Sequence, residues 1–465
     1  MKPNDALLKR WQSTVARKDT APAIFNTRGQ VDRTFRGIDD GARSFESKID
    51  SLDAGSVIAV QIGNHEDWPS ILIACLRREV VVLPLEQSIS DQRRESAFKI
   101  CNVVAAVVPG GSSSEILPTR TSAATTHWNE KPPSLLKLTS GTTAAPRAIR
   151  FRSEQLLADC DQICDTMGIS DVDLNFGVIP VSHSYGFSNL LIPLIARGVA
   201  MVFSQDRTPR AVLEHIAKTN ATVFPGTPVF YQAFCEMKNT TPTTKLRLCI
   251  SAGAPLPIGV ATKFREKFGL PIHSFYGASE CGGICYDREA ASDSEGFVGA
   301  PMKDVDLEMV DPSAEASQVR VRSTAAGDGY FPEPDEGKLG DGVFVPDDLL
   351  ARRASGFKIV GRVSDVVNVA GKKVNPAEIE EQLLRFPGVR QAVAFGRPAG
   401  AGLRNEEVAA CVVVDVDLRE NEILEFCRKA LSAWQVPKQI FIVDSIPANE
   451  RGKISRRELA RRFSK

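Results

Sequence analysis

The sequence predicts an α/β protein: a large amino-terminal domain of parallel-rich sheets with helices plus a β-rich subdomain, then a small α+β domain at the carboxy end. Three observations carry that expectation. From about residue 56, short Val-rich runs closed by Gly, Pro or Asn alternate with helix-length amphipathic stretches. After about residue 285 the texture changes to shorter segments of strict alternation, and beyond Arg362 a separate strand–helix rhythm begins. Near-continuous apolar strands separated by helices indicate parallel sheets covered on both faces, whereas alternation indicates antiparallel strands with one face wet.

Taken in order, SVIAVQIGN (56–64), REVVVLPL (78–85) and CNVVAAVVPGG (101–111) read as buried strands. The pair VAMVFS (199–204) and PRAVLEHIAKTNA (209–221) reads as strand then helix, as does LRLCISAG (246–253) with IGVATKFREKFG (258–269). VDLEMV (305–310), SQVRVRS (317–323) and FKIVGR (357–362) alternate and read as antiparallel. A helix start follows at Asn375-Pro376-Ala377-Glu378, with a cap residue, Pro in the first turn and a carboxylate at the third position. The tail then reads as strand VRQAVAFG, strand EVAACVVVDV, helix NEILEFCRKALSAW and strand QIFIVD.

Composition bounds the function. The chain has 465 residues, enough for two to four domains at ~150 residues each. Apolar residues at 43% and charged residues at 25% are globular values, which argues against wholesale disorder. Lys+Arg (57) balance Asp+Glu (57), so bulk charge gives no reason to expect nucleic acid or an anionic membrane as partner. The ten Cys are scattered through apolar stretches; Cys160/Cys164 and Cys281/Cys285 are each four apart, with no His or second pair to complete a zinc pattern. Buried free thiols are the expectation. The start, MKPNDALLKRWQ, lacks a signal-peptide core, and no apolar run approaches the ~18 residues of a membrane span. The expected location is cytoplasmic.

Chemistry concentrates in Leu138-Thr139-Ser140-Gly141-Thr142-Thr143-Ala144-Ala145-Pro146-Arg147, which follows the apolar strand SLLKL and is expected to lead into an amphipathic helix. Four hydroxyls and a Gly in five positions offer side-chain donors and exposed backbone N–H groups, a set suited to a polyphosphate. It is not a Walker A loop, since the G-x-x-x-x-G-K-[ST] spacing is missing, and no G-x-G-x-x-G follows a strand, which sets a nicotinamide oxidoreductase aside.

That loop resembles the phosphate-binding loop of the adenylate-forming superfamily: acyl- and aryl-CoA ligases, adenylation domains of peptide synthetases, and luciferases. Further stations follow in the family's order: PVSHSYG (180–186), SAGAPLP (251–257), FYGASE (275–280), FVPDDL (344–349), GRVSDVVNVAGKKVNPAEIE (361–380) and ERGKISRREL (450–459). The resemblance implies ATP-dependent activation of a carboxylic acid as acyl-adenylate, then transfer to the thiol of CoA or of a carrier-protein phosphopantetheine. It also implies the roles. Thr139, Ser140, Gly141, Thr142 and Thr143 would hold the β- and γ-phosphates of ATP. Gly253, Ala254 and Pro255 would line the adenine, with Tyr276-Gly277 beside them and Tyr276 stacking on the ring. Ser279 would sit at the α-phosphate and Glu280 would bind Mg²⁺. Asp348 would accept from the ribose hydroxyls, with Arg362 as a further ribose or phosphate contact.

His183 would gate the passage between acyl pocket and thiol tunnel, Lys453 would be the catalytic lysine, and Gly371 would let the pantetheine arm pass. The division implied is 1–363 for ATP and acid, and a mobile 365–465, with a hinge near Ser364. Departures from the pattern are Pro346-Asp347 for Thr-Gly, Ser364 for Asp or Lys, Ala144 or Ala145 for Gly, and Arg147 for Lys. Peptide-synthetase domains carry an Asp for the substrate's α-ammonium; Phe187-Ser188-Asn189-Leu190 here has no carboxylate. With apolar or small residues at Phe224–Val229 and Cys281-Gly282-Gly283, an aryl or medium aliphatic acid lacking an α-amino group is expected. A non-catalytic nucleotide or acyl binder is the competing class, against which intact Lys453, Glu280 and Gly371 argue.

Overall fold

The computed structural model describes residues 5–463 except 111–112, 119–125, 127, 129–130, 140–146, 239–244, 291–293, 370–371, 400–405, 417 and 448–453. The chain forms two compact units, Met1–Glu308 with Arg320–Val345, and Met309–Val319 with Pro346–Lys465. This division is one of packing; the hinge expected near Ser364 concerns motion.

In the first unit the strands expected at 56–64, 78–85 and 101–111 appear as Val57–Val60, Val81–Pro84 and Val103–Gly110, paired parallel. Their sheet runs Gly329–Phe331, Ala148–Phe151, Leu135–Leu138, Val81–Pro84, Val57–Val60, Val103–Gly110, Ser113–Pro118. Val57, Ala59, Val81, Leu83, Val103 and Leu136 are buried together on one face, as a sheet covered by helices requires. A second sheet has a parallel centre of Ile272–Ala278, Leu248–Ser251, Val223–Gly226, Leu174–Gly177, Ala200–Phe203 and Pro22–Phe25. Antiparallel strands flank it: Gly282–Tyr286 and Phe297–Pro301 on one side, Val31–Thr34 on the other. Phe176, Phe224, Tyr231, Phe234 and Phe264 fill the space beside this sheet, each fully buried. Such a side chain contributes roughly 1.5–3 kcal/mol by leaving water.

One local expectation is corrected. The segment after Arg147 does not pass directly into a helix. Ala148–Phe151 first returns antiparallel to Leu135–Leu138, with Leu138 opposite Ala148 and Leu135 opposite Phe151, and the helix Ser153–Met167 starts only afterwards. Leu138 and Ala148 thus form the last described pair of two antiparallel strands. A four-residue strand with one charged member, Arg150, is too short for periodicity to separate it from the first turn of a helix.

The second unit contains the hairpin Asp348–Arg353 with Gly356–Arg362, and a sheet of Val389–Pro398, Glu406–Val414 and Gln439–Ile442. Alternation in those strands covers both faces. Ala394, Val408, Ala410 and Val412 pack with Ile379, Leu383, Ile423 and Cys427 of the helices Pro376–Leu384 and Glu420–Ala430. Val393, Phe395, Ala409, Cys411 and Val413 pack instead with Ile446 and Leu459, the latter on the helix Arg456–Arg462. Asn375 caps Pro376–Leu384 as its sequence implies, its side chain accepting from the Ala377 N–H at 3.2 Å. Glu420–Ala430 stops short of the expected Trp434, and Val436-Pro437 just beyond disfavours helical backbone. No helix among the described residues is long and apolar enough to cross a membrane. The cysteines are free; Cys160 and Cys164 sulfurs lie 4.0 Å apart one helical turn from each other.

Candidate active site

The motif segments of the first unit leave the carboxy ends of neighbouring parallel strands. Pro180–Gly186 follows Leu174–Gly177, Thr227 follows Val223–Gly226, Gly253–Pro255 follows Leu248–Ser251, and Ser279-Glu280 closes Ile272–Ala278. Backbone groups at such ends are not all used by the ladder, and the crevice outside them is where open α/β sheets bind ligands. Gly253 has φ +87°, a conformation that disfavours any Cβ, and it is exposed with Pro255 and half-buried Ala254. Tyr276 is buried at 8% exposure and lies opposite Cys285, while Gly277 is exposed opposite Gly283.

A continuous series of contacts joins three of the expected motifs. Thr139 donates from both its N–H (2.8 Å) and its hydroxyl (3.1 Å) to the Arg147 carbonyl, beside the strand pair Leu138 with Ala148. The Arg147 guanidinium lies over the Tyr330 ring, 4.0 Å from the centroid, and donates to Asp335 at 3.3 Å. Tyr330 in turn donates its hydroxyl to Glu280 Oε1 at 3.2 Å, and Gly327 N–H donates to the Glu280 carbonyl at 2.8 Å. Burial and the Glu280 charge push the Tyr330 hydroxyl well above its ordinary pKa, so it remains a donor at neutral pH. Next to Glu280, Ser279 accepts a hydrogen bond from the Ser184 hydroxyl at 3.0 Å. His183 begins that segment: its Nδ1 accepts from the Tyr185 N–H at 3.2 Å, capping Ser184–Gly186. The chain then enters a π-helical turn, Phe187–Leu191, all of it buried. Such turns are uncommon and recur at functional sites.

Sequence reading missed Tyr330, Asp335 and Gly327, which reach the site from a segment some fifty residues after Glu280. It also missed two buried charges, Lys137 at 6% exposure and Asp159 at 4%. A lysine at the third position of an otherwise apolar strand was the available signal.

In the second unit, the two residues expected at the ribose meet each other. Asp348 is buried, and Arg362, directly opposite it in the hairpin, donates from Nε to Asp348 Oδ1 at 2.6 Å. Ser364 is exposed within a single 3₁₀ turn, Val363–Asp365, that buries no side chain. Arg456, three residues after Lys453, donates to Asp365 at 2.5 Å, to both Glu380 oxygens at 2.8 and 3.0 Å, and to the Ala394 carbonyl at 3.0 Å. Ser140, Gly141, Thr142, Thr143, Gly371 and Lys453 lie outside the described residues, as do Ala144 and Ala145.

A sequence profile described as AMP-binding enzyme matches residues 11–331, and a second, AMP-binding enzyme C-terminal domain, matches 378–453. The chain belongs to the AMP-binding enzyme family. It is an AMP-forming acid–thiol ligase, which makes an acyl-adenylate from ATP and then a thioester. Among its relatives is a probable CoA ligase, CCL9, of Humulus lupulus, 28% identical over 88% of this chain and 87% of that protein. A 3,4-dihydroxybenzoate–[aryl-carrier protein] ligase of Bacillus anthracis is 29% identical over 70% of this chain and 73% of its own. The fold matches the crystal structure of ATP-bound MatB from Rhodopseudomonas palustris, with TM-score 0.83, 22% identity and 98% of each chain covered.

Proposed function

We propose that this ligase activates an aryl or medium aliphatic carboxylic acid without an α-amino group and passes it to CoA. The observation that carries the substrate class is the turn Phe187–Leu191: it is buried, contains no carboxylate, and Asn189 spends its amide N–H on the Tyr185 carbonyl at 3.1 Å. The turn offers a substrate ammonium no carboxylate of its own, and the one that Ser188 touches, Asp159, already faces the buried Lys137, so an added cation there would be poorly compensated in a dry site.

In this reading ATP binds at the carboxy ends of the parallel strands. Thr139 to Thr143 take the β- and γ-phosphates, Gly253 to Pro255 and Tyr276 border the adenine, Ser279 meets the α-phosphate, and Asp348 with Arg362 takes the ribose. Magnesium would be held by Glu280. Among the described residues no group of three His, Cys, Asp or Glu could hold an ion, so one carboxylate would serve together with the nucleotide's phosphate oxygens. That donor set fits Mg²⁺, which commonly keeps one or two protein carboxylates plus phosphates and water. When bound, the ion supplies charge neutralisation at the phosphates.

Lys453 would carry the first half-reaction. As the substrate carboxylate attacks the α-phosphorus and pyrophosphate leaves, negative charge grows on the phosphate oxygens, and an ammonium on a flexible stem can follow it. Rotation about Ser364 would then bring Gly371 to the site, where the missing side chain leaves room for the pantetheine arm, with His183 at the entrance. Holding carboxylate and ATP in line contributes about 7–11 kcal/mol.

The test is carboxylate-dependent ATP–pyrophosphate exchange across aryl, short, medium and long acids and amino acids, repeated with CoA for thioester formation. Exchange with aryl or medium acids and none with amino acids is the expected result; preference for an amino acid would overturn the substrate class. Thioester formation with a carrier protein but not with CoA would move the acceptor to the type named for the Bacillus anthracis relative. In the same assay Lys453→Ala should lower exchange at least ~10²-fold while still passing preformed acyl-adenylate to the thiol.

A further inference from the structure

Asp159, on the helix Ser153–Met167, is buried beneath the site, and none of the roles above uses it. Its Oδ1 accepts the Gly283 N–H at 3.0 Å, and Ser188 hydrogen-bonds the same carboxylate. These donors come from different site segments: Gly283 lies three residues after Glu280, and Ser188 lies in the π-turn after His183. Between Glu280 and Gly283, Gly282 has φ +70°, and a Cβ there would fall 2.0 Å from Asp159 Oδ1. The carboxylate therefore occupies the volume that a side chain at 282 would need. Small residues in Cys281-Gly282-Gly283 have a reason besides pocket width: a buried carboxylate is seated against the turn.

The counter-charge comes from the phosphate-loop strand. Lys137, two residues before Thr139, is buried with its Nζ 4.6 Å from the Phe151 ring centroid and 5.5 Å from that of Phe187. Burial pulls its pKa down, and the Asp159 charge is the foremost influence opposing that shift. Burial likewise pushes Asp159 up, opposed first by Lys137. Each group thus offsets part of the other's desolvation, in a place where a lone charge would be strongly disfavoured.

We infer that Asp159 is a positioning residue for the metal–nucleotide site: it fixes the Glu280–Gly283 turn against the π-turn, and Lys137 is the buried partner that makes a carboxylate tolerable there. The turn is then held at both ends, at Gly283 by Asp159 and at Glu280 by the Gly327 N–H and the Tyr330 hydroxyl. This inference rests on the reading of Glu280 as the Mg²⁺ residue.

The test measures binding of Mn²⁺ with α,β-methylene-ATP to the full chain, free Mn²⁺ being read by electron paramagnetic resonance, so no acid need be known. Glu280→Gln and Asp159→Ala should each weaken metal–nucleotide binding at least ~10-fold, the size typical of an outer partner of a metal ligand. Because Asp159→Ala leaves Lys137 unpaired and its folding is at risk, two charge-balanced variants separate positioning from stability. Lys137→Met with Asp159→Asn keeps an acceptor for Gly283 and should bind within ~3-fold of the unmodified chain. Lys137→Met with Asp159→Ala removes the acceptor and should stay weakened at least ~10-fold at an equal melting temperature. Normal binding by this last variant, or failure of the Asn variant to recover, overturns the inference while leaving Glu280 in its role. Normal binding by Glu280→Gln overturns the metal reading itself, and the inference with it.

Discussion

Tyr330 is the residue whose removal tests the site most cleanly, because it touches Glu280 through one hydroxyl and Arg147 through its ring face. Tyr330→Phe keeps the ring contact and deletes the hydrogen bond to a carboxylate, an interaction contributing about 1.5–3 kcal/mol. Pyrophosphate exchange measured against Mg²⁺ should show the half-saturating concentration raised ~10-fold or more, with little change in melting temperature. An unchanged Mg²⁺ dependence would separate Tyr330 from the metal. The cysteines give a second expectation at this scale. Burial pushes Cys249 up to about 12 and Cys411 and Cys427 to about 11, and Cys75, Cys281 and Cys285 are likewise raised by burial. Burial raises Cys235 as well, but it is the one thiol that is only half-buried, so reagent access decides, and native alkylation at pH 8 should label it before the others. Peptide mapping after a short iodoacetamide pulse reads this directly.

Among the elements, the helix Arg456–Arg462 is tied down by a network that the Lys453 motif does not advertise. Arg456 spans Asp365, beside Ser364, and Glu380, whose other contact is the Ala394 N–H at 2.8 Å. The network is half-buried, so breaking it from one side costs less than the about 3–5 kcal/mol of a fully sealed pair. Arg456→Met should therefore raise amide hydrogen exchange across the strand Val389–Pro398, read by mass spectrometry, and slow adenylation through misplacement of Lys453. In the first unit, Arg247 donates to Asp173 at 2.6 and 2.8 Å. Burial acts to raise the Asp173 pKa, but Arg247, the Ser170 N–H and Thr222 outweigh it and hold the carboxyl below its ordinary value. A depressed folded pKa means the contribution is complete above the unfolded pKa of about 4 and is lost as pH falls through the folded value. The stability gap between the unmodified chain and Asp173→Asn should thus be constant at neutral pH and narrow below about pH 4, in urea titrations at each pH.

At the scale of the whole molecule, the proposed mechanism would run two reactions at one site, with the Ser364 turn as its pivot. Proline at 364 fixes φ and constrains Val363 before it. Ser364→Pro should leave pyrophosphate exchange within ~3-fold while thioester formation from preformed adenylate falls at least ~10-fold, as expected when a conformational step limits only the second reaction. Equal loss of both would remove the pivot from Ser364.

The sequence by itself determined the fold class, because burial on one or both faces of a strand leaves a local signature: continuous Val-rich runs for the parallel strands, alternation for Val319–Ser323. It also determined the family, through motifs whose residues are adjacent in the chain. What adjacency cannot show was left to the tertiary structure. The return strand Ala148–Phe151, the Arg362–Asp348 bond, the reach of Tyr330 to Glu280 and the burial of Asp159 under the Lys137 charge each join residues that are not neighbours in the chain. Nothing local distinguishes Asp159 from a solvated helix carboxylate; its burial exists only once the helix Ser153–Met167 is packed against the Gly282–Tyr286 strand. Periodicity reports which face of an element is dry, and only packing decides which polar group is sealed beneath it and what must therefore neutralise it.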